Sequence, residues 1–308
     1  MPKATSPPLS PKTKNPYVPD LMCLVAVAFR HHPDYPLVVV ANRDEFYDRP
    51  AESAQFWEDH PTVLAGRDME AGGTWFGVNR HGHWATVTNY RGGGMGDGLR
   101  SRGDLPTEFL TASADNNTPH LSPLNYANNI IDQSHHFRGF SLLTGNLDSL
   151  AYCSNANLEA NLKTPFETNV EAGAKTNASL QTLDPGVYTL SNDVLDTPWP
   201  KAEYARKQLT AVLNRPGPLA AESLLAILGS RERFPDHQLP GYPFADASLG
   251  LEMERTLSPP FIVSDSYGTR CTTVLMIDSQ GQATFAEQSY HQGQATERKD
   301  FSFEIMTT

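Results

Sequence analysis

Short apolar runs separated by turn residues dominate the first third of the chain. Leu24 to Phe29 and Leu37 to Ala41 are two such runs, and the polar and proline residues between them predict a hairpin with a longer loop. Because the second run is apolar on both faces, we expect its strand to lie in the middle of a sheet. Further strands are expected at 63–65, 74–78 and 83–88.

Helical periodicity follows in the middle of the chain and returns later. The apolar spacing predicts helices at 105–112, 123–131, 201–213 and 219–228. Strands are expected at 140–143, 151–154, 186–190, 261–263, 272–277, 283–287 and 301–305. This order indicates a segregated α+β fold rather than regular βαβ alternation, and two sheets flanked by helix pairs would fit it. Residues 232–258 are rich in Pro, Gly and Asp, and we expect a long functional loop there.

Composition and charge narrow the class of protein. The 308 residues carry a formal net charge of −11, which argues against nucleic acid or an anionic membrane as the main partner. No apolar run reaches the about 18–20 residues of a membrane span, so an integral membrane protein is not expected. The three cysteines, Cys23, Cys153 and Cys271, are too few for a disulfide framework and indicate a reducing compartment. We therefore expect a cytoplasmic protein.

Residues 1–20 differ from the rest of the chain. They hold six prolines and three lysines, with no arginine and no apolar segment of the kind that a secretory signal needs. We interpret 1–21 as a disordered leader and 22–308 as a single domain. The leader could be dispensable, could be a propeptide, or could reflect a start assigned too early.

The pair Met22-Cys23 carries the most chemical information. If the residues before it are removed, Cys23 acquires an α-amine with a pKa of about 7.7–8.0, which can accept the thiol proton without a histidine. Cys23 is then a candidate nucleophile. The alternative is a buried small apolar residue, as most lone cysteines are.

Four polar residues, Asn42, Arg43, Asp44 and Glu45, end the strand that begins at Leu37. Extended geometry places Arg43 and Glu45 on one face and Asn42 and Asp44 on the other. Charges at the end of a central strand need partners, which favours a site, although a solvated strand edge is the alternative. An Arg43–Asp44 pair near Cys23 could orient its amine and lower the thiol pKa.

Three further residues are candidates because of their position at strand ends. Asn89 and Asn192 carry amides suited to an oxyanion hole, and Arg270 could be a fixed cation beside the nucleophile or a clamp for a substrate carboxylate. The alternatives are turn or cap asparagines and a surface arginine.

The histidines do not form a recognisable metal site. His81 and His83 could chelate from one strand face, but neither has a cysteine or carboxylate at zinc-site spacing, so solvated loop histidines are favoured and no metal is predicted. The histidines and Cys23 are also the obvious ligands for a haem iron, although nothing in their spacing requires one.

Eight short motifs occur in an order that resembles the NRDE family, which is the transport and Golgi organisation protein 2 family. The resemblance covers about residues 22–306. The motifs are Met22-Cys23, Ala41-Asn42-Arg43-Asp44-Glu45-Phe46, Gly72-Gly73-Thr74-Trp75, Thr88-Asn89-Tyr90, Ser101-Arg102-Gly103, Leu190-Ser191-Asn192, Pro198-Trp199 and Tyr267-Gly268-Thr269-Arg270.

That family is similar to the N-terminal-nucleophile hydrolases, choloylglycine hydrolase and penicillin V acylase in particular. The resemblance implies a four-layer αββα sandwich. It also implies a role for each candidate: Cys23 would be the nucleophile and Arg43 and Asp44 would set its environment. Asn89 and Asn192 would line the oxyanion hole, and Arg270 would be the second fixed arginine. The acylases carry Arg-x-x-Asp, whereas Arg43 and Asp44 are adjacent, so the acid could instead be Glu45, with Asn42 in the place of the arginine.

The resemblance leaves two functions open. The first is hydrolysis of a linear amide through Cys23, a reaction that requires no cofactor. The second is non-catalytic haem binding and haem trafficking, or acyl-lipid handling, on the same fold. The expected partner is therefore a small-molecule amide, an acyl compound or haem.

Overall fold

The computed structural model describes residues 23–91, 100–112, 121–156, 179–240 and 250–306. Within these residues it has thirteen strands and five α-helices. The strands are β1 (Leu24–Phe29), β2 (Leu37–Phe46), β3 (Ala51–Phe56), β4 (Val63–Asp68), β5 (Phe76–Asn79), β6 (Trp84–Asn89), β7 (Phe140–Gly145), β8 (Leu150–Ser154), β9 (Ser179–Thr182), β10 (Gly186–Leu190), β11 (Tyr267–Ile277), β12 (Gln282–His291) and β13 (Gln294–Glu304). The helices are α1 (Asp104–Ala112), α2 (Pro123–Asp132), α3 (Pro200–Leu213), α4 (Ala221–Leu225) and α5 (Gly250–Leu257).

The strands form two antiparallel sheets. The first sheet has the order β10-β1-β2-β11-β12-β13, and the second runs in chain order from β3 to β9. In the first sheet β2 lies between β1 and β11, which confirms its predicted central position. Its apolar half, Leu37–Ala41, is at most 5% exposed, because neighbours cover it on both edges and both faces.

Three apolar clusters define the layers. Valines of β1 and β2 meet Phe76, Trp84 and Tyr152 of the second sheet between the two sheets. The opposite face of the first sheet packs on α3 and α4. The opposite face of the second sheet packs on α1 and α2. The chain is therefore a four-layer αββα sandwich, and the predicted α+β fold class is confirmed.

Several predicted elements differ from the structure. The expected strand at 261–263 is wrong, because only an isolated bridge between Val263 and Gly268 forms there. The expected loop at 232–258 contains a 3-10 turn at Asp236–Gln238 and the helix α5. The polar strands β3 and β9 were not predicted, and β13 is longer than expected. The leader 1–21 lies outside the described residues.

Two glycine motifs are explained by a close backbone approach. A side chain on Gly73 would place its Cβ 2.6 Å from the carbonyl carbon of Gly103. The Gly72-Gly73 turn and the Ser101-Arg102-Gly103 segment therefore pack against each other, and only glycine fits at position 73. None of the helices in the described ranges is long and apolar enough to cross a membrane.

Candidate active site

Antiparallel pairing brings the candidate residues of the first sheet to one end. Cys23 directly precedes β1, and the register pairs Leu24 with Asn42 near the end of β2. The same strand pairs Val25 with Leu190 at the end of β10. The start of β1 therefore lies between the polar segment of β2 and the Ser191-Asn192 segment that follows β10.

The second sheet joins this end through hydrogen bonds. The Thr88 hydroxyl donates to the Ser191 carbonyl at 2.6 Å, and the Asn192 amide donates to the Asn89 carbonyl at 2.9 Å. The Ser191 hydroxyl in turn donates to the Cys23 carbonyl at 3.0 Å. Both predicted asparagines are thus brought to the nucleophile candidate, at the point where the two sheets meet.

The polar residues of β2 alternate between its two faces, as predicted. Val39 and Ala41 belong to the core between the sheets, and Arg43 continues that face. Val38 and Val40 face the helices. Asn42 continues the second face, because its side-chain amide donates to the Leu228 carbonyl at 3.1 Å.

Arg43 anchors an ionic group between the sheets, which we call the inner network: Arg43, Glu45, Arg49, Asp68 and Glu70. Arg43 is 5% exposed and donates to the Asp68 carboxylate at 3.2 Å. Arg49 donates to the same carboxylate at 2.6 and 3.2 Å, and it also pairs with Glu70 at 2.9 Å. The Arg43 guanidinium lies 4.2 Å from the centre of the Trp75 ring. Arg43 is therefore held on several sides.

Asp44 lies on the opposite face, in what we call the helix-side cluster: Asp44, Arg91, Lys201 and Glu254. It is 3% exposed, and its Oδ1 accepts a hydrogen bond of 2.6 Å from the Thr269 hydroxyl. Among the residues that the structure describes, no group hydrogen-bonds to the buried Oδ2. A buried carboxylate oxygen without a donor is costly, and such groups are concentrated at functional sites.

Lys201 supplies a buried cation near Asp44. It is the second residue of α3, is 3% exposed and donates to the Leu257 carbonyl at 3.4 Å. Burial lowers the pKa of Lys201, and the Asp44 charge opposes this shift. Burial likewise raises the pKa of Asp44, and the Lys201 charge opposes that shift. Desolvation is the largest cause of the pKa shift for both groups.

The Cys23 thiol is half-buried and is surrounded by charges of both signs. Burial raises its pKa to about 11, and the carboxylates of Asp44 and Glu45 add to this effect. The backbone N–H of Asp44 and the charge of Arg43 oppose it. A thiol with this pKa is protonated at neutral pH, so nucleophilic chemistry at Cys23 needs a base or a stabilising cation.

The two alternatives for the site acid differ in their surroundings. Asp44 is buried, and its own backbone N–H reaches the Cys23 thiol. Glu45 is 25% exposed, and it accepts a hydrogen bond from the N–H of Phe46. Asn42 has its amide bound to two carbonyls and its oxygen bound to Thr272. This geometry favours Asp44 over Glu45 as the site acid. The hydrogen bonds of Asn42 instead tie β2 to the segments around Leu228 and Pro260.

Arg270 lies on β11 beside the polar end of β2, but its hydrogen bonds go to backbone carbonyls of the segment after β2. The register between β2 and β11 shifts at this residue, between Thr269 and Cys271. One guanidinium nitrogen of Arg270 donates to the carbonyls of Phe46 and Arg49, at 2.6 and 3.0 Å. Burial and the nearby Arg43 lower its pKa. Arg270 therefore holds the turn after β2, and its role as a second fixed arginine stays a prediction.

A cavity of about 280 Å³ opens beside Asn192. Tyr90, Arg91, Trp199 and Glu254 line it. Arg91 pairs with Glu254 at 2.5 Å, and its guanidinium lies 5.6 Å from the centre of the Trp199 ring. The cavity thus combines aromatic surface with a closed ion pair, next to one predicted oxyanion donor.

His83 is 5% exposed, and its ring lies 5.6 Å from that of Phe109, so the solvated loop position expected for it is wrong. The described part of the chain holds no group of three His, Cys, Asp or Glu side chains that could bind a metal ion.

Sequence reasoning missed three contributors to the site: Asp68, Lys201 and Thr269. Thr269 stands inside a recognised motif, but its side chain faces Asp44 only because β11 pairs with β2. Lys201 offered a signal, since a cation in the first turn of a helix opposes the helix dipole. Asp68 follows an apolar strand in the sequence, and only the packing of the sheets shows that Arg43 reaches it.

The fold and site define an αββα protein with a cysteine at the head of its first strand and polar groups of both sheets around it. The chain belongs to the Transport and Golgi organisation 2 family, whose model matches residues 22–292. The cattle Transport and Golgi organization protein 2 homolog is 32% identical over 284 residues, covering 87% of this chain and 93% of the relative. The human homolog is 31% identical over 283 residues, which cover 87% of this chain and 93% of the homolog. The Drosophila melanogaster Transport and Golgi organization protein 2 is 22% identical over 286 residues, which cover 87% of this chain and 92% of that protein.

Solved structures also resemble this chain, and one of them is described here. The Caenorhabditis elegans N-acylethanolamine-hydrolyzing acid amidase ortholog is 10% identical, with a TM-score of 0.42. The likeness covers 82% of this chain and 92% of that one. The four-layer assignment above stands on the strand order and on the three apolar clusters of this chain alone.

Proposed function

We propose that the protein hydrolyses a linear amide or a related acyl compound through Cys23. The observation that supports this proposal is that Cys23, Asp44 and Asn192 lie at one end of the first sheet, with Arg43 on the other face of β2 and with Asn192 hydrogen-bonded to Asn89 of the second sheet. A thiol, a buried carboxylate and two amides are the groups that acyl transfer needs at one point. The cavity beside Asn192 offers room for a small substrate.

The reaction requires a base for the thiol. In a chain that begins at Cys23, the α-amine accepts the thiol proton, and the sulfur attacks the carbonyl carbon. The buried Asp44 Oδ2, which has no donor among the described residues, is a suitable partner for that amine. The charge on the carbonyl oxygen is then stabilised by amide donors at Asn89 and Asn192.

The intermediate collapses by expelling the leaving amine, which takes the proton from the α-ammonium. This leaves a thioester on Cys23, and a water molecule activated by the same α-amine releases the acid and restores the thiol. No cofactor takes part. The raised thiol pKa is consistent with this scheme. Such a thiol ionises only when the α-amine accepts its proton, so it stays protonated and unreactive in a chain without that free amine.

The test compares two forms of the protein, the full chain and a chain that begins at Cys23. Both are assayed on a panel of N-acyl amides and thioesters, together with Cys23→Ala and the buried Cys153→Ala as a matched cysteine control. We expect turnover only from the chain that begins at Cys23, and we expect it to survive in Cys153→Ala. Full activity of Cys23→Ala on every substrate found would refute the proposal.

The cavity beside Asn192, with Tyr90 and Trp199 in its lining, also supports a second candidate function. With Cys23 inside the chain, its thiol stays protonated at neutral pH, and the neighbouring Arg91 and Glu254 are already paired. A non-catalytic protein that binds haem or an acyl lipid in this region would keep such a site without turnover. A haem titration with a saturable Soret shift, absent in Trp199→Ala, would support it, and a linear titration would count against it.

The three cysteines also support a proposed location. All three are free, and none forms a disulfide within the described residues. We place the protein in a reducing compartment, with the cytoplasm as the expected one. Fractionation of the native host, probed with an antibody to this chain, tests the location.

A further inference from the structure

Ser191 directly follows β10, and its two polar groups bind different parts of the molecule. Its hydroxyl donates to the Cys23 carbonyl at 3.0 Å, and its own carbonyl accepts a hydrogen bond of 2.6 Å from the Thr88 hydroxyl of β6. Ser191 is 5% exposed and Thr88 is 1% exposed. Hydrogen bonds in such a low-dielectric interior are stronger than in water. Ser191 therefore links the nucleophile candidate of the first sheet to a strand of the second sheet.

The Ser191 hydroxyl also contacts the amide of Asn192. It lies 3.3 Å from Asn192 Oδ1, while Asn192 Nδ2 donates to the Asn89 carbonyl at 2.9 Å. A hydroxyl carries one hydrogen, so that hydrogen is shared between the Cys23 carbonyl and Asn192 Oδ1. The reversed amide would place its oxygen against the Asn89 carbonyl oxygen, with no hydrogen between them. Ser191 and Asn89 thus fix which end of the Asn192 amide carries the donor.

Cys23 depends on such a partner more than a residue inside a strand does. It precedes β1, and its pairing with β2 is not part of the ladder, which begins at Leu24. In a chain that begins at Cys23, no preceding residue restrains it. A peptide group is planar, so a fixed Cys23 carbonyl also fixes the Cα atom that carries the amine and the side chain. Rotations about ψ and χ1 then remain to bring the sulfur to a substrate.

A second buried hydroxyl near the same strand end has different partners. Thr189 is 1% exposed, and its hydroxyl contacts Asp196 at 3.4 Å and Arg206 at 3.0 Å. These contacts tie β10 to the segment after it and to α3. Among the residues that the structure describes, Thr189 makes no hydrogen bond to Cys23. The two hydroxyls are therefore alike in burial and in position along the chain, and they differ in what they hold.

We propose that Ser191 is a positioning residue whose hydroxyl holds the Cys23 carbonyl and the Asn192 amide in one arrangement. The bond from Thr88 anchors Ser191 itself to the second sheet. The inference rests on the proposed function and deepens it, because it takes Cys23 as the reacting group and Asn192 as an oxyanion donor. The hydroxyl touches no reacting atom, so its effect is on alignment. A misplacement of about 1 Å can cost about a hundredfold in rate.

The first measurement observes the Cys23 carbonyl in the full chain, without any substrate. The protein is labelled with 13C at the cysteine carbonyls and with 15N at the leucines. Among the three cysteines only Cys23 is followed by leucine, so an NMR experiment that correlates a carbonyl with the next amide gives one signal, from Cys23 and Leu24. Loss of a hydrogen bond moves a carbonyl 13C resonance upfield. The variants are Ser191→Ala, the hydroxyl-retaining Ser191→Thr, and Thr189→Val as a matched hydroxyl deletion.

We expect the Cys23 signal to move upfield in Ser191→Ala and to stay near its wild-type position in Ser191→Thr and Thr189→Val. If Ser191→Ala does not fold, Thr88→Val takes its place. That variant keeps the shape of the side chain and releases the Ser191 carbonyl, so the Cys23 signal should move in the same direction. Circular dichroism checks the fold of each variant.

The second measurement is turnover by the chain that begins at Cys23. Ser191→Ala should lower kcat roughly ten- to hundredfold and change KM less than about threefold, because the variant loses alignment of the reacting groups and keeps the substrate cavity. Ser191→Thr should restore most of kcat. Thr189→Val should stay near the wild type, which separates alignment from a general loss of stability.

An unchanged Cys23 signal in Ser191→Ala would overturn the proposal. A shifted signal with full kcat, on a substrate that the wild type hydrolyses, would overturn it as well. A shifted signal with no turnover of any amide by any form of the protein would refute the hydrolase and support the hold of Ser191 on Cys23. Turnover by the wild type with an unchanged signal in Ser191→Ala would do the reverse.

Discussion

The inner network and the helix-side cluster are built on adjacent residues of the same strand, yet they differ in how completely their charges are satisfied. On the inner face, Arg43 is bound to Asp68, which also accepts two bonds from Arg49 and two from backbone N–H groups. On the helix face, Asp44 has one hydrogen-bonded oxygen and one without a donor among the described residues. The directions of the pKa shifts follow, since the pKa of Asp68 is lowered and that of Asp44 is raised.

This difference separates two kinds of buried charge. A carboxylate with several donors is stabilised in its charged form and holds structure together. A carboxylate with few donors is held near its neutral form and is ready to take a proton or a cationic partner. Asp44 is also the more deeply buried of the two, at 3% exposed against 9% for Asp68, so stronger desolvation and fewer donors act in the same direction. Together they assign stability to the inner face and chemistry to the helix face.

The largest effect is expected from breaking the inner network at its centre. Asp68→Ala leaves Arg43 buried without its carboxylate, and loss of one partner of a buried pair costs about 3–5 kcal/mol. The Trp75 ring should offset a small part of this. Urea unfolding followed by tryptophan fluorescence measures the change in the free energy of unfolding.

Glu70→Ala is the matched control, because it removes a carboxylate that is 44% exposed and pairs with the outer side of Arg49. We expect a change of less than about 1 kcal/mol. Equal decreases in the free energy of unfolding for the two variants would show that Asp68 stabilises the fold no more than an exposed acid does. The proposed difference between the two faces of β2 would then be wrong.

A second effect concerns pH. The pKa of Asp44 is higher in the folded than in the unfolded chain, so the folded chain binds more protons between the two values. Its contribution to stability is therefore greatest at acid pH and falls as pH rises from about 4 toward neutrality. Asp68 acts in the opposite sense, because its lowered pKa contributes stability that is lost on acidification. On acidification, the contribution of Asp44 to the free energy of unfolding should therefore increase, while that of Asp68 should decrease.

Asp44→Asn should remove the loss of stability that Asp44 causes as pH rises toward neutrality. The difference in unfolding free energy between variant and wild type should grow by about 1–3 kcal/mol in favour of the variant from about pH 4 to about pH 7.5. Asp68→Asn gives the control, because its difference should grow in favour of the wild type as pH rises through the acid range up to about 4 and should then stay nearly constant up to about pH 7.5. A constant difference for Asp44→Asn would mean that Asp44 ionises as freely as in the unfolded chain.

The sequence predicts the layered fold well, because the fold rests on local patterns. The apolar alternation of β1 and β2 and the periodicity of α3 are visible without any partner. The polar strands β3 and β9 are not, since their residues become strand only by pairing with a neighbour. The helix α5 was hidden for the same reason, in a segment whose composition indicates a loop.

The site could be predicted only in part. The position of Cys23 and the alternation of Arg43 and Asp44 follow from the strand geometry. The partners of these residues come from more than 20 positions away, as in the bonds of Arg43 to Asp68 and of Asp44 to Thr269. Such contacts depend on how sheets and helices pack, and no local pattern encodes them. Lys201 left one local signal, a cation in the first turn of α3, but its closeness to Asp44 depends on the same packing.

The smallest effect tests the hydrogen bond that Asp44 does make. The Thr269 hydroxyl donates to Asp44 at 2.6 Å and accepts from the N–H of Ile262 at 2.9 Å. Thr269→Val keeps the shape and removes both bonds, at a cost of about 1–3 kcal/mol. A double-mutant cycle with Asp44→Asn should give a coupling of about 1 kcal/mol, measured by urea unfolding near neutral pH.

The same cycle between Thr269→Val and Asp68→Asn should be additive within about 0.5 kcal/mol, because the two residues lie on opposite faces of the first sheet and share no hydrogen bond among the contacts described above. Coupling of similar size in both cycles would show that the faces communicate through β2. Their division into a structural and a chemical side would then have to be abandoned. A coupling confined to Asp44 would mean that the single donor on the helix face, and not the sheet as a whole, sets the charge state of that carboxylate.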